Sequence, residues 1–219
     1  NQRLKEKREW LNQKDFKEIH FKGPETDLKV GLADDHEWMG GASMAQNGVV
    51  CNPNIPSEEV FTTPHAQRVE GYVSSTKPLS HQGTLIDNIR VVFEKGSITD
   101  AKASKGETVL KKVLESDEGA RRLGEVALVP NSSPISNSGL LFYNTLFDEN
   151  AACHIALGQC YSKCFKGDTN LSTSEIRERG GNSSMIHIDW MIGSGEIDID
   201  GFGKNGEIVP IFRKGEWVD

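Results

Sequence analysis

The sequence contains no apolar run approaching the eighteen or so residues of a membrane-spanning helix. Its first residues also lack the charged-then-apolar order of a secretory leader. Both absences argue against a membrane partner and make a reducing cytoplasm the expected location. Positive charge is scarce: 25 Lys and Arg stand against 32 Asp and Glu, for a net charge of -7. That is the wrong sign for a surface that gathers nucleic acid or anionic lipid. Cysteine is sparse, with four residues at Cys51, Cys153, Cys160 and Cys164. Paired CxxC knuckles, the stronger zinc signature, are missing. Cys153, His154, Cys160 and Cys164 still fall close enough together to form a candidate structural zinc site. The serines of "PNSSPISNSG" have no adjacent His/Asp arrangement at a nucleophile elbow, which makes serine hydrolysis a poor reading. There is no internal repeat and no low-complexity segment.

What is present is an ordinary globular composition, 219 residues with 36% hydrophobic, enough to bury a sizeable core in one large domain or one domain with an appendage. The charged opening "NQRLKEKREWLNQ", with no initiator Met, suggests a fragment or processed form of a longer chain. Residues 2 to 13 read as a helix, and "FKEIHFKG" and "DLKVGLA" as strands split at Gly23-Pro24. "NGVVCNPNIPSEEVFTTPH" carries three prolines between 53 and 64 and reads as a rigid extended loop. "RVEGYVSST" is a strand and "IRVVFEKGSITDAKA" a hairpin turning at Glu94-Lys95-Gly96. Ser104 and Glu107 match a capping box for a helix running to about Asp117. "LGEVALVP" and "HIALG" are short strands around a helical turn or two in "SGLLFYNTLF". "MIHIDWMI", "GEIDIDG" and "EIVPIFR" complete an α+β (mixed α/β) fold, strand-rich, with a mixed sheet and few helices.

The chemistry lies in polar residues placed where apolar ones belong. Side chains alternate across a strand, so His187 and Asp189 share one face of "MIHIDWMI", while Ile186, Ile188 and Trp190 share the other. Glu125 sits inside the apolar "LGEVALV", where a lone carboxylate needs a partner or a metal. His154 opens "HIALG", five residues after Glu149 and seven before Tyr161. Glu58 and Glu59 lie in the proline-stiffened loop. Oxygen and nitrogen donors on rigid segments suit a preformed metal site, and they equally suit hydrogen-bonded core polars. "DIDGFGKNGE" fails as a calcium loop because Phe202 occupies a ligand position, and Glu196, Asp198 and Asp200 read as a solvated strand face. His36, among the acids and glycines of "GLADDHEWMGG", could bind metal or substrate but reads more readily as part of a turn-rich surface loop.

"NPNIPSEEVFTTPH", "LGEVALVP", "LLFYNTLFDENAACHIALG" and "MIHIDWMIGSGEIDIDG", in that order, resemble the metallo-aminopeptidase family of aminopeptidase T, aminopeptidase S and PepS. "FKGPETDLKVGL" and "HEWMGG" look like the family's lead-in, and the likeness spans about residues 20 to 215. It implies an exopeptidase that removes N-terminal amino acids from peptides with a free N-terminus, using a water activated by two divalent metal ions, zinc or cobalt, with manganese a third option. The implied ligands are Glu59, Glu125, Glu149, His154, His187 and Asp189, with Glu58 the neighbouring alternative to Glu59 and a candidate general base. Tyr161 is the implied catalytic side chain. The resemblance also implies a homodimer. It makes residues 1–219 the catalytic metal-binding domain, without the family's N-terminal α/β domain, against which about 208–219 would pack. Two rival readings stand beside it: a non-catalytic domain with the cysteine zinc site, and a truncated, inactive fragment.

Overall fold

A computed structural model describes residues 1–167 and 170–218, so Asp219, the end of the segment expected to face a further domain, lies outside the described residues. The opening helix, Gln2–Lys14, buries Leu4 and Leu11 on one stripe and ends where Asp15 turns left-handed. Seven residues are close to two helical turns, which is why those two leucines face the same way. Asn12 clamps the loop beneath it. Its amide donates to the Trp38 carbonyl at 3.1 Å and its carbonyl accepts from the Trp38 N–H at 2.8 Å.

From that helix Lys7 reaches the ring of Trp217, on the edge strand of an eight-stranded sheet whose order in space is Ser97–Lys102, Arg90–Glu94, Pro64–Ser74, Thr26–Leu32, Glu18–Gly23, Asp198–Phe202, Ile208–Arg213 and Glu216–Trp217. A second sheet of four strands runs His187–Met191, His154–Gly158, Leu123–Leu128, Val60–Thr62. The chain passes from the smaller sheet to the larger at Thr63. One continuous apolar core joins the two, including Phe21, Val69, Val126, Ile155 and Trp190.

The strand-rich α+β expectation holds, with few helices. The expected mixed sheet does not, because every pairing between named strands is antiparallel. Short hairpin connections permit this, whereas parallel neighbours need long crossovers. Three local expectations also change. The proline-rich stretch is not all loop, since Val60–Thr62 pairs with Leu123–Leu128. The helix expected to run from Ser104 to about Asp117 covers Glu107–Leu114 and begins at Gly106 without a side-chain cap. There the Ser104 hydroxyl donates to the Asp87 carbonyl, and Glu107 reaches back to the Ala103 N–H. A true capping box occurs elsewhere, at Ser172 and Glu175. Finally, the helix of "SGLLFYNTLF" is confined to its end, Thr145–Asp148.

Candidate metal centre

The four-stranded sheet has one face in the core and one in a cavity. Trp190 pairs with Ile155, and Ile155 with Val126, giving a row of large apolar side chains on the core face. Each such side chain, fully buried, contributes about 1.5–3 kcal/mol. On the opposite face Ala156 pairs with both Glu125 and Asp189, so two carboxylates flank a methyl group. Paired residues on adjacent strands stand about 5 Å apart. Gly158, two residues on, pairs with His187. The central strand thus offers only small side chains where its neighbours converge, which leaves room above it.

Two irregularities make this possible. Leu123 and Glu125 are two apart, yet Leu123 pairs with Leu157 in the core while Glu125 pairs with Ala156, because the register shifts at Gly124. A bulge of this kind turns one side chain to the other face. A Cβ on Gly124 would lie 2.3 Å from the Gln159 carbonyl oxygen. Gly158 has φ +100 and lies so close to the next strand that a Cβ would meet the Ile186 carbonyl at 2.2 Å. Only glycine adopts that conformation without strain.

Six side chains converge on the open face. The ligand atoms of Glu59, Glu125 and His154 lie within 4.8 Å of one another, as do those of Glu125, His187 and Asp189 and those of Glu149, His154 and Asp189. His154 Nε2 is 3.0 Å from Glu59 Oε2 and 3.8 Å from Glu125 Oε1. His187 Nε2 is 3.4 Å from Asp189 Oδ1 and 3.7 Å from Glu125 Oε2. Each imidazole is oriented from behind. His154 Nδ1 lies 3.1 Å from the Ala152 carbonyl and His187 Nδ1 2.7 Å from that of Gln159. A proton on Nδ1 shared with a carbonyl leaves Nε2 to face a ligand.

The electrostatics are those of ionisable groups crowded together in a buried setting. Burial raises the Glu149 pKa to about 8 and shifts Glu125 upward, and in both cases neighbouring carboxylates add to the rise. Burial opposes a proton on His187, but the bond to Asp189, the charges of Asp189 and Glu125 and the Gln159 carbonyl together outweigh it and lift the pKa to about 9. His154 is raised as well: burial works against its charge, and Glu125 and Glu59 overcome that. Glu59 Oε2 and His154 Nε2 are fully buried and, despite their 3.0 Å approach, lack hydrogen-bond geometry with any partner among the described residues. Buried polar atoms in this condition are costly. A set of carboxylate oxygens and imidazole nitrogens fits a divalent cation of the zinc, cobalt or manganese type.

All six expected ligand residues are therefore brought together, and Glu59 rather than Glu58 is the one in the cluster. The Glu58 N–H instead donates to Asn150 Oδ1 at 2.7 Å. The Asn150 side-chain NH2 donates in turn to the Leu146 carbonyl, and the Asn150 backbone carbonyl accepts from the Ser133 hydroxyl. Asn150 thereby ties the Glu59 loop to the turn that carries Glu149, a role with no signal in the sequence. Tyr161 lies at the cavity wall with its ring centroid 4.7 Å from that of His187. Burial and then the surrounding carboxylates push its pKa well above the ordinary phenol value. The cavity has a volume of about 430 Å³ and is also lined by Met39, Phe61, His81, Leu146 and Lys163.

The cysteine site is not assembled. Cys153 exchanges hydrogen bonds with the Val129 backbone. Cys160 packs with Phe165 and Ile176, and Cys164 with Phe61 and Ala127. Burial pushes the Cys153 thiol up to about 12 and the Cys160 thiol to about 11, the reverse of what a thiolate ligand requires. The His154 ring turns to the carboxylates instead. His36 is not a surface residue either: it is buried, with Nδ1 3.0 Å from the Ala33 carbonyl.

Carboxylates and imidazoles meeting in one cavity above an antiparallel sheet are the donor set of a metal-dependent protein. Sequence comparison narrows that class: residues 1–217 match the thermophilic metalloprotease (M29) model, and the chain belongs to this family. It is 53% identical to aminopeptidase T of Thermus thermophilus, 50% to aminopeptidase 2 of Geobacillus stearothermophilus and 47% to aminopeptidase PepS of Streptococcus thermophilus. These alignments cover 99–100% of this chain but 52–53% of each relative, so the chain spans about half their length. The solved structure of wild-type AmpT from Thermus thermophilus superposes with a TM-score of 0.94 at 52% identity, over 98% of this chain and 53% of that one. A 2,5-dihydroxypyridine dioxygenase from Pseudomonas putida shares the fold, with a TM-score of 0.63 at 15% identity, over 100% of this chain and 60% of that one.

Proposed function

We propose that this chain is the metal-binding catalytic part of an aminopeptidase that removes the first residue of peptides with a free N-terminus. The observation that carries the reading is the overlap of three donor groups, in which Glu125, His154 and Asp189 each belong to two. Overlap of this sort suits a pair of divalent ions, held by Glu59, Glu125, Glu149, His154, His187 and Asp189. When bound, such ions supply a Lewis acid for a carbonyl oxygen and make nearby water more acidic.

The chain's own residues do the rest. Four carboxylates on the cavity floor offset four positive charges, so that the ions do not repel the ammonium of a peptide N-terminus and a carboxylate oxygen can accept its hydrogen bond. Tyr161 keeps its proton at neutral pH and offers it as a hydrogen bond to an oxygen that gains negative charge. The rest of the reading extends to zinc or cobalt as the ions, a homodimer, a cytoplasmic location and an α/β domain as partner to this one in the whole protein; among the described residues no helix is long and apolar enough to cross a membrane.

Metal content by plasma mass spectrometry, after incubation with zinc or cobalt and desalting, should approach two ions per chain. The loaded protein should release p-nitroaniline from leucine p-nitroanilide, and a chelator should abolish this. Two ions with no cleavage of any unblocked peptide would overturn the catalytic reading.

A further inference from the structure

Lys163 sits on the single turn Ser162–Cys164 at the mouth of this same cavity. Among the described residues it is the only lysine or arginine lining that space. Four carboxylates face the cavity, yet none of the ion pairs among the described residues involves Lys163. Its ammonium rests instead on two rings, 4.9 Å from the Phe61 centroid and 5.1 Å from that of Tyr161. A cation seated on ring faces keeps its N–H donors free for another partner. Its position follows from the Tyr161 side chain, which it shares with His187.

The cavity therefore has a polarity: a carboxylate-rich floor and one uncommitted cation at the rim. A peptide whose ammonium is drawn to the floor runs outward past Tyr161, and the first negative charge beyond its scissile bond arrives near Lys163. We infer that Lys163 binds a substrate carboxylate on the leaving-group side, so that the enzyme favours a negative charge on the residue after the bond cut. That charge is either the free C-terminus of a dipeptide or an acidic side chain in second position. The inference rests on the aminopeptidase reading above.

The zinc-loaded chain and its Lys163→Met and Lys163→Arg variants would be compared on Leu-Gly, Leu-Gly amide, Leu-Asp amide and leucine p-nitroanilide. For the unaltered chain, kcat/KM should favour Leu-Gly over its amide by roughly fivefold, the scale of a partly exposed ion pair. The difference should lie mainly in KM. Lys163→Met should bring the ratio to about one and Lys163→Arg should keep most of it. A gain of Leu-Asp amide over Leu-Gly amide identifies the side chain as a source of the charge, and its absence assigns the charge to the C-terminus alone. A ratio near one in the unaltered chain, or a ratio that survives Lys163→Met, overturns the inference; in the second case the rings alone are what Lys163 serves. If leucine p-nitroanilide and the peptides are all left intact, the aminopeptidase reading fails instead. Calorimetric binding of Leu-Gly and its amide to the metal-free chain then decides the role of Lys163 separately, with equal affinities counting against it.

Discussion

Loading the cavity with a divalent ion should release protons, by an amount set by the environment of its donors. In the metal-free chain at pH 7, Glu149, with its pKa raised to about 8, and His187, at about 9, both hold a proton. A carboxylate or imidazole gives up that proton before it can ligate. Each pKa unit above ambient pH costs about 1.4 kcal/mol, so the two groups together oppose loading by on the order of 4 kcal/mol at pH 7. The penalty fades as the pH passes through the two raised pKa values. The sign is therefore fixed: apparent affinity rises with pH, by up to roughly a hundredfold per unit near neutrality, and levels off above about pH 9. The upward shifts of Glu125 and His154 act in the same direction. Zinc titrations by calorimetry at pH 7, in two buffers of different ionisation enthalpy, should show about two protons or more released as the site fills. An affinity unchanged between about pH 6.5 and 8.5, or a release well under one proton, would refute the reasoning.

Three further outcomes are expected. Asp189→Ala belongs to two donor groups at once and should lower metal affinity by at least about a hundredfold; its metal-free melting temperature should hold or rise, because a buried acid is removed, and full metal content after desalting would sink the ligand assignment. Replacing Cys160 and Cys164 together by Ala should leave metal content unchanged, checked by plasma mass spectrometry, since both thiols point into apolar contacts. Gly158→Ala should cost about 2 kcal/mol or more in urea unfolding and also weaken metal binding, because its Cβ pushes on Ile186, one residue before His187.

Much of the centre was legible where local geometry alone dictates it. His187 and Asp189 had to share a face, because the strand period is two and Ile188 and Trp190 claimed the core. Glu125 stood out because a carboxylate inside an apolar strand needs a reason, although simple alternation would have put Leu123 on its side; the bulge at Gly124 has no propensity signature. Glu149 lies in the short turn Glu149–Ala151 and carries no periodic signal, so only the family resemblance reached it. The hairpin Leu79–His81/Thr84–Ile86, which brings His81 to the cavity, went unread because its turn is Gln82-Gly83. Both residues have positive φ, which is normally announced by Asn or Asp in the first place. The capping box failed at Ser104 and succeeded at Ser172 because the same four-residue spacing fits either. What decides is whether the hydroxyl has a nearer carbonyl, as Ser104 has in Asp87.

The division of the His187–Met191 strand into a polar and an apolar side has a consequence for assembly. Sliding it by one residue against His154–Gly158 would exchange its two sides completely. Trp190 would then project over the carboxylates, and an imidazole and an acid would be forced into hydrocarbon. Such a chain could keep much of its sheet hydrogen bonding, and circular dichroism would scarcely notice. It could not hold an ion. Metal retained after desalting would thus work as a census of molecules, counting those whose strands have joined in the right alignment and passing over those that have not.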